Sequence, residues 1–421
     1  MGNEKTKVVI TGLGPVTSIG IGVEPFWRAM LAGRTSVAPR QLHSDVGKAD
    51  EFQVASMPPA LPTIRPHHEF LERIDYVGYR DLAYAMAAID IALEDAHLEY
   101  DRDDNTIGVV QAFEAPGMER TVATMFEACS TMATATEPPC MYDALATYFY
   151  NSQPFLYVHA IGKAFGFHGF AGSAHNACSS GAYAIEMSAQ RIRSGDTDFM
   201  IVVGGEAFDT AVRIEWFRRL ELYSTDGTMR PFDAEPVGFY VGEGAAAIIL
   251  ESAESALRRG VTPYAEYVGG SFAQQGWKHS IPDVRASRLR DVIKRTLAIA
   301  EDNGDKVDLV IPHGAATTLS DGYEASCLDQ ALAGRSTDAV ASVFKPYVGH
   351  MLATSAIIEL IAGMLAMRHQ VVPATLHTRP SCSKLPIPLV SRTTDRSLRA
   401  MLKLSTGFTG HDAASLFRRA D

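Results

Sequence analysis

Residues 170–192 read FAGSAHNACSSGAYAIEMSAQRI, and this stretch combines a predicted strand, a cysteine and a predicted helix. Its beginning, Phe170–Asn176, is predicted as a short strand, and Ser180–Ile192 carries apolar residues at helical spacing. Cys178 stands between them among small residues. The amides and dipole of a helix start favour a thiolate, and small neighbours let a substrate carbonyl approach. The stretch therefore predicts a strand–turn–helix unit that carries either a nucleophilic cysteine or a buried apolar cysteine, the commonest fate of a free thiol.

Strands and helices alternate on both sides of this unit, which favours a mostly parallel sheet covered by helices on both faces. In the first half we predict a helix at Leu82–Ala96 and strands at Lys7–Gly12, Ile107–Ala112, Asp198–Gly205 and Gly244–Leu250. In the second half we predict helices at Ala286–Glu301 and Gly349–Arg368, with strands at Tyr264–Val268, Val307–Pro312, Val340–Phe344, Val371–Leu376 and Leu402–Thr406.

Cys178 and His350 occupy matching places in the two halves of the chain. Each follows a predicted strand and lies at the start of a long predicted helix. The order of elements therefore suggests two copies of one α/β layout, although the residues of the halves are too different to show a duplication by themselves.

Composition excludes several classes of protein. The chain has 421 residues, 47% of them hydrophobic, and a formal net charge of −11, so it has a large core and is a poor general binder of nucleic acid or anionic membranes. Five cysteines without a CxxC pair predict neither a disulfide framework nor a zinc site. The longest apolar run, Ile357–Met367, is too short to span a membrane. With no secretory signal visible, we expect a cytoplasmic enzyme.

Further candidate residues lie at the ends of apolar strands, where parallel sheets place their active sites. His313 ends one strand, and Lys345 and His350 precede a helix that contains Glu359. Taken singly, each has an ordinary structural explanation: a hydrogen-bonded histidine, a solvated lysine or a helix cap. One thiol and two imidazoles after core strands of one chain together favour an active site. Asp233 and Glu243 are interpreted as structural ion-pair residues.

Six segments resemble the β-ketoacyl synthases of the thiolase superfamily, especially the elongating ketosynthases of fatty-acid and polyketide synthesis. In chain order they are VVITGLGPVTSIG (8–20), NACSSG (176–181), RPFDAEPVGFYVGEGAA (230–246), HGAATTLSDGYEA (313–325), KPYVGHMLATSAIIE (345–359) and GFTG (407–410). The resemblance runs nearly from end to end of the chain. It implies an α/β thiolase-like fold of two similar βαβαβαββ halves stacked as α-β-α-β-α layers. We place the halves at residues 1–255 and 256–421.

The resemblance also implies roles for individual residues. Cys178 is expected to accept the acyl group, His313 and His350 to be the active-site histidines, and Lys345 and Glu359 to support them. The amides of Cys178 and Phe408 are expected to form the oxyanion hole. The residues expected to contact substrate are Thr317, Gly407 and Phe408, the last as a gate to the acyl pocket. No metal or redox cofactor is implied, because the phosphopantetheine belongs to an acyl carrier protein.

The implied reaction joins an acyl group on Cys178 to a malonyl group on an acyl carrier protein, with loss of CO2. The expected partners are the acyl carrier protein, acyl and malonyl thioesters, and either a second copy of the chain or a related ketosynthase-like subunit, joined through the strand at Phe170–Asn176. Neither nucleic acid nor a membrane is expected. Two other hypotheses are transfer of the acyl group to an alcohol or amine, and a non-catalytic subunit that shapes another ketosynthase.

Some positions depart from the family's pattern. The usual HGTST motif has Ala315 in place of one hydroxyl, and the usual GFGG gate has the β-branched Thr409, which we expect to stiffen it. These departures favour a specialised, polyketide-type ketosynthase. An acidic carrier protein needs a local basic patch for docking. The candidate patches are Arg213, Arg218 and Arg219 around Trp216, and Arg285, Arg288, Arg290 and Lys294; either could instead be a solvated helix face.

Overall fold

The structure is a computed structural model of the chain. It describes residues 6–45, 48–58, 68–73, 76, 78–134, 146, 148–285, 288–379 and 383–420.

Strands and helices alternate over much of the chain. In the described residues the strands are β1 Val8–Thr17, β2 Gly20–Ile21, β3 Val37–Asp45, β4 Lys48–Ala55, β5 Gly108–Gln111, β6 Ala171–Ser173, β7 Phe199–Glu206, β8 Val241–Gly242, β9 Gly244–Ser252, β10 Ala265–Gln274, β11 Val307–Ile311, β12 Val340–Ala341, β13 Val371–Val372, β14 Thr394–Asp395, β15 Ala400–Gly407 and β16 His411–Arg419. The helices are α1 Val23–Leu31, α2 His68–Arg73, α3 Arg80–Asp95, α4 Met118–Thr134, α5 Pro154–Phe165, α6 Ser180–Arg193, α7 Val212–Arg219, α8 Ala253–Arg259, α9 Arg288–Asp302, α10 Thr318–Leu332, α11 Lys345–Val348 and α12 Ser355–His369.

The main sheet consists of two halves with one topology. Its strand order is β12-β11-β15-β16-β10-β1-β9-β7-β5-β6, with β2 beside β1. If the five strands of each half are numbered along the chain, both halves have the order 3-2-4-5-1. Their first strands, β1 and β10, pair antiparallel at the centre and join the halves. The prediction of two similar halves is confirmed, while the division of the chain at residue 255 stays a prediction.

The strand directions correct one expectation, because the sheet is mixed rather than mostly parallel. β5 is parallel to β6 and β7, and β11 is parallel to β12 and β15. In contrast, β9 is antiparallel to β1 and β7, and β16 is antiparallel to β10 and β15. Every residue of β9 is buried. A strand buried on both faces is apolar throughout whatever its direction, so the apolar pattern could not distinguish the two arrangements.

Helices cover both faces of the sheet and also fill the space between its halves. Alternate residues of β9 belong to different cores: Ala246, Ile248 and Leu250 contribute to the core around α6 and α12, and Ala245, Ala247 and Ile249 to the core under α3. A third core lies between the second half of the sheet and helices α9 and α10. The result is the expected α-β-α-β-α stack, with α6 and α12 as the middle layer.

Helix α12 is apolar because of this central position. The segment Leu352–His369 has the length and hydropathy of a membrane span, yet 89% of it is buried inside the protein. Helix α12 contacts strands of both halves of the sheet, so it has no polar face.

The two central helices meet closely at their first turns. A Cβ atom added to Gly181 would lie 2.7 Å from Cγ1 of Ile357 and 3.2 Å from the Cβ of Ala356. Only glycine allows this approach, and it brings the turn that carries Cys178 next to the segment that carries His350. Gly181, the last residue of NACSSG, therefore has a role in packing the two helices together as well as in the turn that carries Cys178.

We expect the substitution Gly181→Ala to destabilise the protein. The added methyl group overpacks the contact with Ile357, which typically costs about 1–3 kcal/mol of unfolding free energy. Gly322→Ala is the matched control, because a Cβ atom there has no neighbour within 4 Å and the residue lies inside α10. That control should be neutral or stabilising by up to about 1 kcal/mol. Urea denaturation of both variants measures the difference, and equal stabilities would contradict the packing role.

Candidate active site

One cavity contains most of the residues that the sequence singled out. Cys178, His313, Thr317, His350 and Phe408 all line it. Cys178, His313, Thr317 and His350 are at most 7% exposed, so the cavity wall excludes most water from the reacting groups. Gly407 and Ala315 also line the cavity. The two halves of the chain each supply part of this site.

Cys178 lies in a tight turn between β6 and α6. Ala177, directly before it, has a positive φ of 49°, and a Cβ atom on Gly407 would lie 2.6 Å from the carbonyl oxygen of Asn176. The hydroxyl of Ser180 accepts a hydrogen bond from the amide of Asn176 at 2.9 Å and donates one to the carbonyl of Ala177 at 2.7 Å. This turn presents the thiol at the start of the helix and holds the 407–410 segment against it.

The electrostatics of Cys178 correct the expectation of a thiolate. Burial raises the pKa of the thiol well above its ordinary value, and the nearby Glu114 raises that pKa further. Glu114 follows β5, the parallel neighbour of β6, and Glu206 ends β7, the parallel neighbour of β5 on its other side. Carboxyl ends of parallel strands share one edge of a sheet, so the thiol and both carboxyl groups lie at that edge. Both effects favour the neutral thiol of Cys178 over the thiolate.

Hydrogen bonds define the proton position on His350. Its Nδ1 atom lies 3.2 Å from the amide nitrogen of Leu352 and 2.9 Å from the hydroxyl of Ser355. A backbone amide can only donate, so Nδ1 accepts and the ring proton resides on Nε2. Burial and the positive charges of Lys345 and Lys403 hold the pKa of His350 well below its ordinary value. His350 is thus a neutral hydrogen-bond donor.

His313 is arranged in the same way at the end of β11. The Nζ atom of Lys345 lies 3.4 Å from its Nδ1 atom and donates to its carbonyl oxygen at 2.5 Å. An ammonium group beside Nδ1 again leaves the proton on Nε2. Burial, together with Lys345 and His350, lowers the pKa of His313 well below its ordinary value. The two rings stand edge to face with their centroids 5.5 Å apart.

A buried carboxylate behind the histidines binds two lysines. Glu359 Oε1 lies 2.6 Å from Nζ of Lys345, and Oε2 forms an ion pair with Lys403. All three side chains are at most 1% exposed. Sequence reasoning identified Lys345 and Glu359 but missed Lys403. The available signal was a cation inside the apolar strand 400–404, AMLKL, where a charge needs a buried partner.

The gate segment follows β15 directly. Phe408 packs edge to face on the exposed Trp216, with ring centroids 5.3 Å apart. Thr409 has a positive φ of 63°, which a β-branched residue rarely adopts, and its amide donates to the carbonyl oxygen of His279 at 2.6 Å. This bond ties the gate to the segment that contains Ile281, another cavity residue.

Comparisons with known proteins identify the family. The model described as "Beta-ketoacyl synthase, N-terminal domain" matches residues 5–256, and "Beta-ketoacyl synthase, C-terminal domain" matches residues 264–379. The chain belongs to the β-ketoacyl synthase family. An oxytetracycline polyketide β-ketoacyl synthase 1 from Streptomyces rimosus is 28% identical over 98% of this chain and 97% of that protein. A 3-oxoacyl-[acyl-carrier-protein] synthase 2 from Rhizobium meliloti is 27% identical over 98% of this chain and 99% of that protein.

Solved structures agree with this assignment. The ishigamide ketosynthase/chain length factor superposes with a TM-score of 0.83 at 25% identity, covering 99% of this chain and 100% of that chain. A type II polyketide synthase acyl carrier protein in complex with its hexaketide-bound ketosynthase gives a TM-score of 0.81 at 23% identity, covering 99% of this chain and 100% of that chain, and shows the shared fold. The thiolase-like fold of this β-ketoacyl synthase is thereby confirmed.

Three other sequence-predicted residues have clear positions in the ketosynthase. Asp233 pairs with Arg379 at 2.6 Å, and Glu243 pairs with Arg80 at 2.9 Å, so both are structural ion-pair residues as predicted. Arg213 corrects the first basic patch. It is buried and paired at 2.8 Å with both Glu119 and Glu206, so it is not available for docking. The sequence did not show this, because Glu119 is 94 residues away along the chain and nothing local marks Glu206 as a partner.

We expect both ketosynthase histidines to stay neutral, with the proton on Nε2, as the pH falls through 6.5, where a free histidine is half protonated. Burial and the nearby ammonium groups, which lower both pKa values, are the cause. Nitrogen-15 NMR of histidine-labelled protein, with resonances assigned through His313→Gln and His350→Gln, measures the tautomer and the titration. The urea-unfolded chain is the control and should titrate normally. An imidazolium form of either ring at pH 6 would contradict the donor assignment.

Proposed function

We propose that this β-ketoacyl synthase carries out decarboxylative Claisen condensation between an acyl group on Cys178 and a malonyl group on an acyl carrier protein. The observation that carries the proposal is the cavity itself, where the thiol faces two neutral imidazoles whose free N–H groups are donors. A reaction that develops charge on an oxygen atom, and needs no strong base, fits such a pair.

The first half-reaction loads the nucleophile. The Cys178 sulfur attacks the acyl thioester, the bond to the carrier's thiol breaks, and the proton of the Cys178 thiol ends on the departing thiol. Because the proton of the Cys178 thiol moves to the departing thiol, no external base is needed. Burial raises the pKa of the Cys178 thiol, so that proton is present on the sulfur when the reaction begins. The amides of Cys178 and Phe408 are proposed as the oxyanion hole, because Gly407 holds the gate segment against the nucleophile turn.

The second half-reaction forms the carbon–carbon bond. The bond between the malonyl methylene and its carboxylate breaks, CO2 leaves, and the electron pair becomes an enolate whose oxygen accepts hydrogen bonds from Nε2–H of His313 and His350. The enolate carbon attacks the acyl carbon, Cys178 leaves as a thiolate, and this thiolate takes up one proton. Each such donor is typically worth about 10²- to 10³-fold in rate. Thr317, which lines the cavity, is proposed to contact the pantetheine arm.

The two other hypotheses are not favoured. A non-catalytic subunit does not require a nucleophile and paired donors in one water-excluding cavity. Transfer to an alcohol or amine requires a base that takes a proton from the incoming nucleophile. In both histidines Nδ1 is occupied by its partners and Nε2 already carries a proton, so neither ring offers a free basic nitrogen. We propose polyketide-type synthesis as the biological setting. The polyketide relatives and the departures at Ala315 and Thr409 support this choice.

The decisive measurement is intact-protein mass spectrometry with a panel of acyl thioesters, followed by addition of malonyl-carrier protein with detection of CO2. We expect an adduct on Cys178 that clears with stoichiometric release of CO2. Cys178→Ala should form no adduct and no condensation product. Cys327→Ala, which replaces another buried cysteine, is the matched control and should keep both steps. Condensation by Cys178→Ala would refute the proposed mechanism, and clearance to an alcohol or amine without CO2 would reassign the reaction.

A basic surface beside the gate is proposed as the carrier-protein site. Arg218 and Arg219 are exposed near the end of α7, next to Trp216, which packs on the gate residue Phe408. The second candidate patch follows Pro282, also a cavity residue; in it Arg285, Arg288 and Lys294 are exposed, and Arg290 is half-buried and paired with Asp291. The patch on α7 is favoured because its Trp216 contacts Phe408 directly.

We expect the charge reversal R218E/R219E to raise the apparent KM for carrier-bound substrates by about 10-fold, a typical effect of removing charges that steer association. The rate with a small acyl thioester that lacks a carrier should be unchanged. Arg258→Glu is the control, because Arg258 is exposed near the opposite edge of the sheet, where β9 ends. Steady-state kinetics with both substrates measure the effect. An unchanged KM for the carrier-bound substrate would move the site to the second patch.

We also propose that the protein is cytoplasmic and forms a dimer. β6 is at one end of the sheet order and pairs with β5 only, among the described residues. Helix α5 packs on β6 and carries Phe155, and this side chain is 55% exposed, as are Phe149 and Tyr150 at 67% and 58%. An open strand edge beside exposed aromatic residues supports pairing with a second copy or with a related subunit.

A further inference from the structure

We propose that Lys403 is a positioning residue for the condensation step, because it balances the charge of the buried cluster behind His313. This inference rests on the proposed function and deepens it. Lys403 does not contact the thiol or the imidazole rings that line the cavity. Its effect therefore passes through Glu359, Lys345 and the backbone of His313.

Lys403 reaches the histidine strand from its neighbour in the sheet. It lies on β15, in register with Ile311 of β11, and its Nζ atom donates to the carbonyl of Leu404 at 2.7 Å and approaches that of Pro312 at 3.4 Å. The other ammonium group, on Lys345, donates to the carbonyl of His313 itself. Two consecutive carbonyl groups thus face two lysines that share one carboxylate.

Glu324 holds the opposite side of the same segment. Its carboxylate oxygens accept the amide hydrogens of His313 at 2.6 Å and Gly314 at 2.9 Å. Burial raises the pKa of Glu324 above its ordinary value, and these two hydrogen bonds oppose that increase. Asp321, one turn earlier on α10, accepts the amide of Phe232 at 2.6 Å, and burial raises the pKa of Asp321 to about 7. The peptide groups around His313 are therefore fixed by charged side chains on both sides.

Lys403 adds one positive charge to this buried cluster. The ammonium groups of Lys345 and Lys403 lie in one cluster with the carboxyl groups of Glu359 and Glu324, and all four side chains are at most 1% exposed. Without Lys403 the cluster behind the histidine would be more negative by one charge. Buried charges act strongly on each other because little water screens them. A more negative cluster would oppose the enolate oxygen that forms at His313 and His350.

The two half-reactions should therefore respond differently. The enolate forms at the histidines, whereas the acylation of Cys178 uses the proposed amide donors at the other side of the cavity. Loss of the Lys403 charge should slow condensation more than acylation. A residue needed only for folding would slow both equally.

The protonation of Lys403 adds a pH dependence. Burial lowers its pKa to about 8, with Lys345 adding to the decrease, while Glu359 and Glu324 oppose it. Lys403 is charged below that pH and neutral above it. Condensation should then decline as the pH rises through about 8, while acylation shows no matching decline.

The test compares Lys403→Met with the double variant K403M/E359Q and with wild type. Acylation is followed by single-turnover mass spectrometry, and condensation by CO2 release from the pre-acylated enzyme. We expect K403M to lose about 10- to 100-fold in condensation and less than about 3-fold in acylation, since one charge is missing near the developing enolate. Its alkaline decline near pH 8 should vanish. In the double variant one charge of each sign is removed, and about 10-fold of the loss should return.

Lys306→Met is the matched control, because Lys306 is exposed and paired only with Asp338 in the described structure. If K403M does not fold, Lys403→Arg carries the same test, since arginine stays charged and condensation must then persist above pH 8. Equal losses in both half-reactions, no rescue in the double variant, or an unshifted alkaline decline would overturn the role of Lys403. Failure of the wild-type enzyme to release CO2 would instead overturn the proposed function.

Discussion

The structure depends on the close approach of two helices, α6 and α12, in the layer between the halves of the sheet. Gly181 permits contact with Ala356 and Ile357, so the first turns of the two helices almost touch. Each helix follows the third strand of its half, and each is preceded by a functional residue, Cys178 or His350. Bringing the helix starts together therefore assembles a thiol from one half and an imidazole from the other in one cavity.

The two halves perform different electrostatic tasks around this contact. On the first half, the thiol lies beside Glu114 and Glu206, and burial raises the pKa of Glu206 to about 8. On the second half, lysines surround the histidines and lower their pKa values. A neutral thiol and neutral imidazoles therefore face each other in a dry site. Such a site holds few free charges, so an enolate formed there interacts mainly with oriented N–H groups.

The hairpin of β15 and β16 in the second half of the chain links several parts of the site. Strand β15 leads through residues 407–410 into β16, so the cavity residues Gly407 and Phe408 and the buried Lys403 belong to one hairpin. The gate lies against the nucleophile turn at Gly407 and against Trp216 at Phe408. A conformational change at the end of this hairpin would therefore alter the contacts at the Cys178 turn, at the cavity and at the proposed carrier-protein surface.

Apolar periodicity predicted helices α3, α6, α9 and α12 and most of the buried strands, and the order of these elements suggested the repeat, because burial on a sheet or helix face leaves a local pattern. It did not predict the buried strand β16 or helix α10. It could not distinguish strand direction, since strands buried on both faces are apolar whether parallel or antiparallel. The candidate site residues were singled out because they follow predicted strands and stand in segments that resemble those of the family. Lys403 was missed because its partner, Glu359, is distant in sequence, and Arg213 was misassigned for the same reason.

The fold class, the family and the candidate residues Cys178, His313, Lys345 and His350 could be inferred from the amino-acid sequence, because short segments carry that information. The chemical state of these residues follows from the three-dimensional structure alone. The proton on Nε2 of each histidine, the neutral thiol and the shared carboxylate of Glu359 arise from contacts between segments that are far apart in the chain. Burial changes the free energy of a charge according to everything around it, and no local pattern of residues records those surroundings.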